Sequence, residues 1–197
     1  MRKPISPSTS LASSKRLKTI VAGLTLFVAM AAQGNTRGPS PAALAHLDVE
    51  AVGSGVLSWF GIDVYEAVLF TDSGRFLGLD DQETVALELR YLRNIPSDRL
   101  VERTRKEWDR LERRTRLPAD ATRDAWLEQV SALWPDIKAG DLIVTVVTRG
   151  GPTRFYSSGE LLGEIADPEF GPAFLEIWLH PESRRPDLRD ALVGEAR

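Results

Sequence analysis

Apolar and polar positions alternate over residues 49–58, 62–71 and 84–92, and the period predicts three strands. In the second, Ile62, Val64, Val68 and Phe70 share one face and Tyr65, Ala67 and Leu69 the other, so both faces should be covered. In the third, Val85, Leu87, Leu89 and Tyr91 point one way, and Glu88 and Arg90 the other. Gly61, in Trp59-Phe60-Gly61, supplies the positive φ that a tight connection needs. Helical spacing takes over at Ser97, a candidate N-cap, with Leu100, Val101, Thr104, Trp108 and Leu111 as the apolar stripe to about residue 114. A second helix after Leu117-Pro118 carries Trp126, Val130, Leu133 and Trp134 on one side, and Pro135 stops it. The β-branched run 142–148 predicts a central strand. Residues 153–156 and 160–165 pair as a hairpin about Ser157-Ser158-Gly159.

A third helix is announced by Asp167 as cap, Pro168 at the first helical position and Glu169 in the first turn. Phe170, Phe174, Ile177 and Trp178 then fall on one face, an aromatic stripe that must be buried, most simply against a sheet. Pro186 opens a last short helix with Leu188, Ala191 and Leu192. Strands, two helices, strands and helices again, in that order, suit the α+β class: an antiparallel sheet with helices gathered on one face.

The 197 residues suffice for one domain with a real core. The N-terminus changes the picture of where it works. Arg2, Lys3, Lys15, Arg16 and Lys18 precede an apolar run from 19 to 32, and Ala29-Met30-Ala31 offers small residues for signal cleavage. The expectation is a signal peptide over 1–31, cut after Ala31, a flexible lead-in over 32–48 and a domain over 49–197, periplasmic or secreted, with no stable membrane span after cleavage, the alternative being an uncleaved membrane anchor. Removing 1–31 takes five basic and no acidic residues, leaving 20 basic against 28 acidic and a net charge of −8. That balance argues against nucleic acid or an anionic membrane as the main partner.

The absence of cysteine excludes disulfides and thiolate chemistry. His46 and His180, the two imidazoles, have no companion at metal-ligand spacing, and neither a metal nor another cofactor is expected. The helix bearing Arg103, Arg105, Lys106, Arg110, Arg113, Arg114 and Arg116 interleaves them with Glu102, Glu107, Asp109 and Glu112, and reads as a solvated salt-bridge face. Ser157-Ser158-Gly159 is a turn without the nucleophile-elbow pattern.

Three segments carry a family resemblance: Gly53-Ser-Gly-Val-Leu-Ser-Trp-Phe-Gly-Ile-Asp-Val-Tyr-Glu-Ala-Val-Leu-Phe, Leu87-Glu-Leu-Arg-Tyr-Leu-Arg-Asn-Ile, and Gly163-Glu-Ile-Ala-Asp-Pro-Glu-Phe running on to Ile177-Trp178-Leu179. Over roughly residues 49–193 the chain resembles the bacterial chalcone isomerase-like proteins, exported relatives of plant chalcone isomerase. The resemblance implies an open-faced β-sandwich with a ligand cleft between sheet and helices. It implies either cofactor-free cyclisation of a chalcone or, in other members, fatty-acid binding without turnover. The enzyme's Arg aligns with Gly55 or Val56, its Thr with Ala67, and its helical Tyr, Lys and Asn with Leu100, Arg103 and Glu107. Of these only the basic character at Arg103 is kept, so the array that would orient a phenolate and stabilise an enolate is missing.

Tyr65, Arg90 and Arg103 are the candidate ligand-binding residues, and no catalytic residue is assigned. Arg90 would anchor a carboxylate with its guanidinium fork, or would simply pair with Glu88 on a solvated face. Tyr65 would donate a hydrogen bond to the same ligand, or only pack in its strand. Three readings stay open. The first is an exported, non-enzymatic protein that binds a small apolar ligand such as a fatty acid. The second is a cofactor-independent isomerase, an intramolecular lyase using Tyr65, Arg90 and Arg103. The third is an envelope protein acting on a partner through an exposed aromatic patch at Trp59. Oligomeric state is not legible.

Overall fold

The computed structural model describes residues 41–113 and 117–196. The chain divides into Met1–Gly34 and Asn35–Arg197, and the second unit carries the fold. The expected signal peptide with its cleavage site, the start of the lead-in, and Arg114 and Arg116 of the basic helix lie outside the described residues.

Six antiparallel strands form one sheet in chain order: β1 (Glu50–Trp59), β2 (Ile62–Thr71), β3 (Thr84–Tyr91), β4 (Leu142–Thr148), β5 (Thr153–Ser157) and β6 (Glu160–Ile165). Each pairs with its sequence neighbour, and α2 (Ser97–Leu111) and α3 (Asp120–Leu133) fill the one long connection, between β3 and β4. With α4 (Phe170–Leu179) and α5 (Pro186–Leu192) they lie on one face of the sheet. Among the described residues, no helix is long and apolar enough to cross a membrane.

The alternation read in β3 decides which face does what. Val85, Leu87, Leu89 and Tyr91 pack with Leu175, Leu179, Leu188 and Leu192 of α4 and α5. A second cluster joins Trp108, Trp126, Phe155, Phe170 and Phe174 through edge-to-face and stacked rings, locking α2, α3 and α4 over β5 and β6. The opposite face of the sheet is not bare. Val68, Phe70, Ala86, Val144 and Val146 are buried there with Ala43 and Leu44 of α1 (Pro41–Leu44), so part of the expected flexible lead-in is folded onto the sheet.

Three local readings change. Ser97 is inside α2 rather than capping it; the carboxylate of Asp136 accepts from its backbone N–H at 2.9 Å. The helix of the aromatic stripe begins at Phe170 rather than Pro168, while Asp167 accepts from the Glu169 N–H with one carboxylate oxygen and from the Trp126 indole with the other. In β2 a register shift opposite Leu57 and Ser58 leaves Val64 as an extra residue, so Val64 and Tyr65 both reach the helical side of the sheet.

The helices sit close to β1 because it is small there. A Cβ on Gly53 would stand 2.1 Å from the Ala191 carbonyl oxygen, and one on Gly55 would stand 2.8 Å from a Leu188 methyl. Glycine in this strand lets the backbone of α5 approach it directly.

Candidate functional site

Between the sheet and the helical layer, a cavity of about 670 Å³ remains open. That volume is in the range of small-molecule sites. Leu89, Tyr91, Ile143 and Phe155 form its floor, Phe174, Ile177 and Trp178 of α4 one wall, and Leu100 and Thr104 of α2 the other. Two of the five tryptophans, Trp108 and Trp126, are core; Trp59, Trp134 and Trp178 line the cavity.

The polar groups gather at one end. Tyr65 stands on β2 with its ring edge-on to Tyr91 at 5.8 Å, and its hydroxyl oxygen accepts from the Trp178 indole N–H at 2.8 Å. Accepting that bond leaves the phenol proton available to the cavity. Burial pushes the Tyr65 phenol up to about 12, against smaller downward pulls from the Trp178 N–H and from Arg103. Burial, and then the neighbouring Tyr65, push Tyr91 up as well. Both remain neutral donors at physiological pH and are poor general bases.

Glu107 is 4% exposed, which corrects its reading as part of a solvated face. Its place one turn along α2 from Arg103 turns it toward the cleft mouth. There Arg103 (2.9 Å), Arg110 (3.1 Å) and Arg184 (3.6 Å) surround it, compensating a charge that burial alone would penalise. Arg103 and Arg184 also stand over the Trp59 ring, at 5.5 and 5.8 Å from its centre. Arg185 donates to the Ser58 carbonyl at 2.6 Å. Of the wall's arginines, Arg99 is paired with Glu102 at 3.0 Å, while Arg103, Arg184 and Arg185 share the wall with the single carboxylate of Glu107. Within the wall this leaves a local excess of two positive charges.

Of the three candidate residues, Tyr65 and Arg103 line the cavity and Arg90 does not. Arg90 lies opposite Glu66 and Leu142 on the other face of the sheet, since its strand neighbours Leu89 and Tyr91 take the cleft side. The expectation of a carboxylate anchor in the cleft at Arg90 is thereby corrected. Sequence reasoning passed over Glu107, Arg184, Arg185 and Trp178 as site residues. The adjacent pair Arg184-Arg185 before Pro186 was the one visible cue, but nothing in the sequence ties that loop to α2.

The profile of the family described as chalcone isomerase-like matches residues 41–194. The chain belongs to the chalcone isomerase-like family. A protein of Haemophilus influenzae, described as uncharacterized, is 26% identical over 160 residues, which span 80% of this chain and 73% of that protein. The crystal structure of a fatty-acid binding protein of Arabidopsis thaliana superposes with a TM-score of 0.57 at 15% identity, covering 78% of this chain and 90% of that one. At that identity the likeness is one of fold.

The chalcone isomerase-like frame gives meaning to the positions that the resemblance assigned to the enzyme's polar groups. The space beside Gly55 is taken by Leu188 and Ala191 of α5, Ala67 is fully buried, and Leu100 presents an apolar side chain to the cavity. Arg103 and Glu107 are paired with each other at the mouth.

Proposed function

We propose that this chalcone isomerase-like protein is exported and holds one amphipathic acid, such as a fatty acid, without transforming it. The acyl chain lies along the apolar floor, and the carboxylate meets the Tyr65 phenol and Arg103 at the mouth. The observation that carries this reading is an apolar cavity of about 670 Å³ with a neutral phenol and surplus arginines at one end. Glu107 engages only part of the Arg103 fork, whose five N–H donors leave others for a ligand. The residues where the resemblance places the enzyme's polar groups, Gly55 or Val56, Ala67 and Leu100, are all apolar or glycine and favour retention over ring closure. The name of the Arabidopsis neighbour supports the ligand class. The basic, apolar and small-residue order of residues 1–31 supports export.

Titration of the purified protein with a fluorescent fatty-acid probe tests the reading. One saturable site, competed by unlabelled fatty acid, is expected. Arg103→Ala should weaken it about tenfold or more, since a charge-assisted hydrogen bond is worth about 1.5–3 kcal/mol. Absence of saturable binding across a series of chain lengths would overturn it.

A further inference from the structure

The tip of the β1–β2 hairpin is the most exposed apolar feature among the described residues. Phe60 is 91% exposed and touches Trp59 edge-on at 5.3 Å. Its neighbours Trp59 and Ile62, paired across the hairpin, are also exposed and extend the patch, whereas the exposed Val56 is on the opposite face of the strand from Leu57 and Trp59. The backbone does not favour a phenylalanine there. Phe60 and Gly61 both have positive φ, 50° and 75°, a pair of conformations that asparagine and glycine adopt at far lower cost. Within the chain the ring's one aromatic contact is with Trp59, itself exposed at the same tip.

The same tip borders the cleft opening. Trp59 is at once part of the patch and part of the cavity wall, with Arg103 and Arg184 over its ring and Arg185 bonded to the carbonyl of Ser58. These arginines give the mouth a local excess of two positive charges, Arg99 being paired with Glu102, although the net charge is −8 once residues 1–31 are removed. Asp63, which accepts from the Ser58 hydroxyl, is the acid nearest the tip within the hairpin. Aromatic side chains ringed by arginine are suited to the boundary of an anionic bilayer, where the rings enter the headgroup layer and the guanidinium groups meet phosphate.

We propose that the hairpin tip and its arginine collar dock the cleft mouth onto an anionic lipid bilayer, so that cargo passes between bilayer and cavity without crossing water. This rests on the cleft holding an amphipathic ligand. The local charge and the solubility of such cargo in lipid select a bilayer over an acidic protein surface.

The test uses the full chain with vesicles of phosphatidylcholine alone or with one-fifth phosphatidylglycerol, in low and high salt. Co-sedimentation is expected with the anionic vesicles and to fall in high salt. Phe60→Asn, which suits the turn, should weaken it about tenfold, and Arg184→Glu by about fivefold or more. Neutral vesicles should bind weakly in every case. In Phe60→Trp the added indole should be quenched by brominated acyl chains, which separates docking through the hairpin from adhesion through the N-terminal segment. An unquenched indole at position 60, or sedimentation unmoved by Phe60→Asn and Arg184→Glu, would overturn docking. Capture of an acidic protein with no vesicle binding would overturn it in favour of a protein partner. Uptake of the fatty-acid probe in vesicle-free solution reads the cleft alone. Intact uptake by Phe60→Asn with lost sedimentation supports docking, whereas failed uptake by the unaltered chain overturns the cleft reading and this one together.

Discussion

Tyr65 is held as a neutral phenol by burial, with the Trp178 N–H and Arg103 pulling only weakly the other way. Its folded-state titration is raised from 10.0 to about 12, and that of Tyr91 is raised too. Between pH 10 and 12 the unfolded chain therefore releases phenol protons that the folded chain keeps. The stability they confer is whole below pH 10 and is lost as pH rises through that window. The urea midpoint should fall steeply between pH 10 and 12, and Tyr65→Phe should flatten the fall; an equally steep fall in that variant would contradict the assignment. Tyr65 was a candidate as a strand phenol able to donate to a ligand, and Arg103 through the family resemblance, as the one basic position kept there. Sequence pattern could not place Arg90, because alternation tells which residues share a face and not which face carries the helices.

At the scale of elements, the packing of α5 on β1 has a sharp consequence. Gly53→Ala drives a methyl into the backbone carbonyl of Ala191, and the whole helix must move, at a cost of about 2–3 kcal/mol. Gly55→Ala meets a leucine methyl that can rotate aside, and should cost less. Urea unfolding of the two variants checks the order, and equal midpoints would mean that α5 does not rest on this strand. Strand periods and the β3 alternation were legible in the sequence, as was the aromatic stripe of α4. Helix starts were less so. Ser97 and Asp167 have capping chemistry, but Asp136 accepts the N–H at one, and the other, while accepting the Glu169 N–H, also holds Trp126 with its second oxygen. Both partners are about 40 residues away in sequence. The covering of the second sheet face was expected from the two-sided apolar pattern of β2, whereas the part played by α1 was hidden in a segment whose composition reads as linker.

For the whole molecule, export and cargo are tested together by intact and native mass spectrometry of protein recovered from the cell envelope. A chain beginning at residue 32, with added mass matching an acyl ligand, is the expected result; a full-length chain would contradict signal cleavage. The sequence by itself determined the α+β class, the order of strands and helices and the family, because periodicity and local motifs are properties of neighbouring residues. Only the tertiary structure decided that a cavity remains, that Glu107 is its buried counter-charge, and that Arg184 and Arg185 share its mouth with Arg103. Those facts depend on how the helices settle on the sheet, and steric fit between residues some 80 positions apart leaves no trace in local spacing.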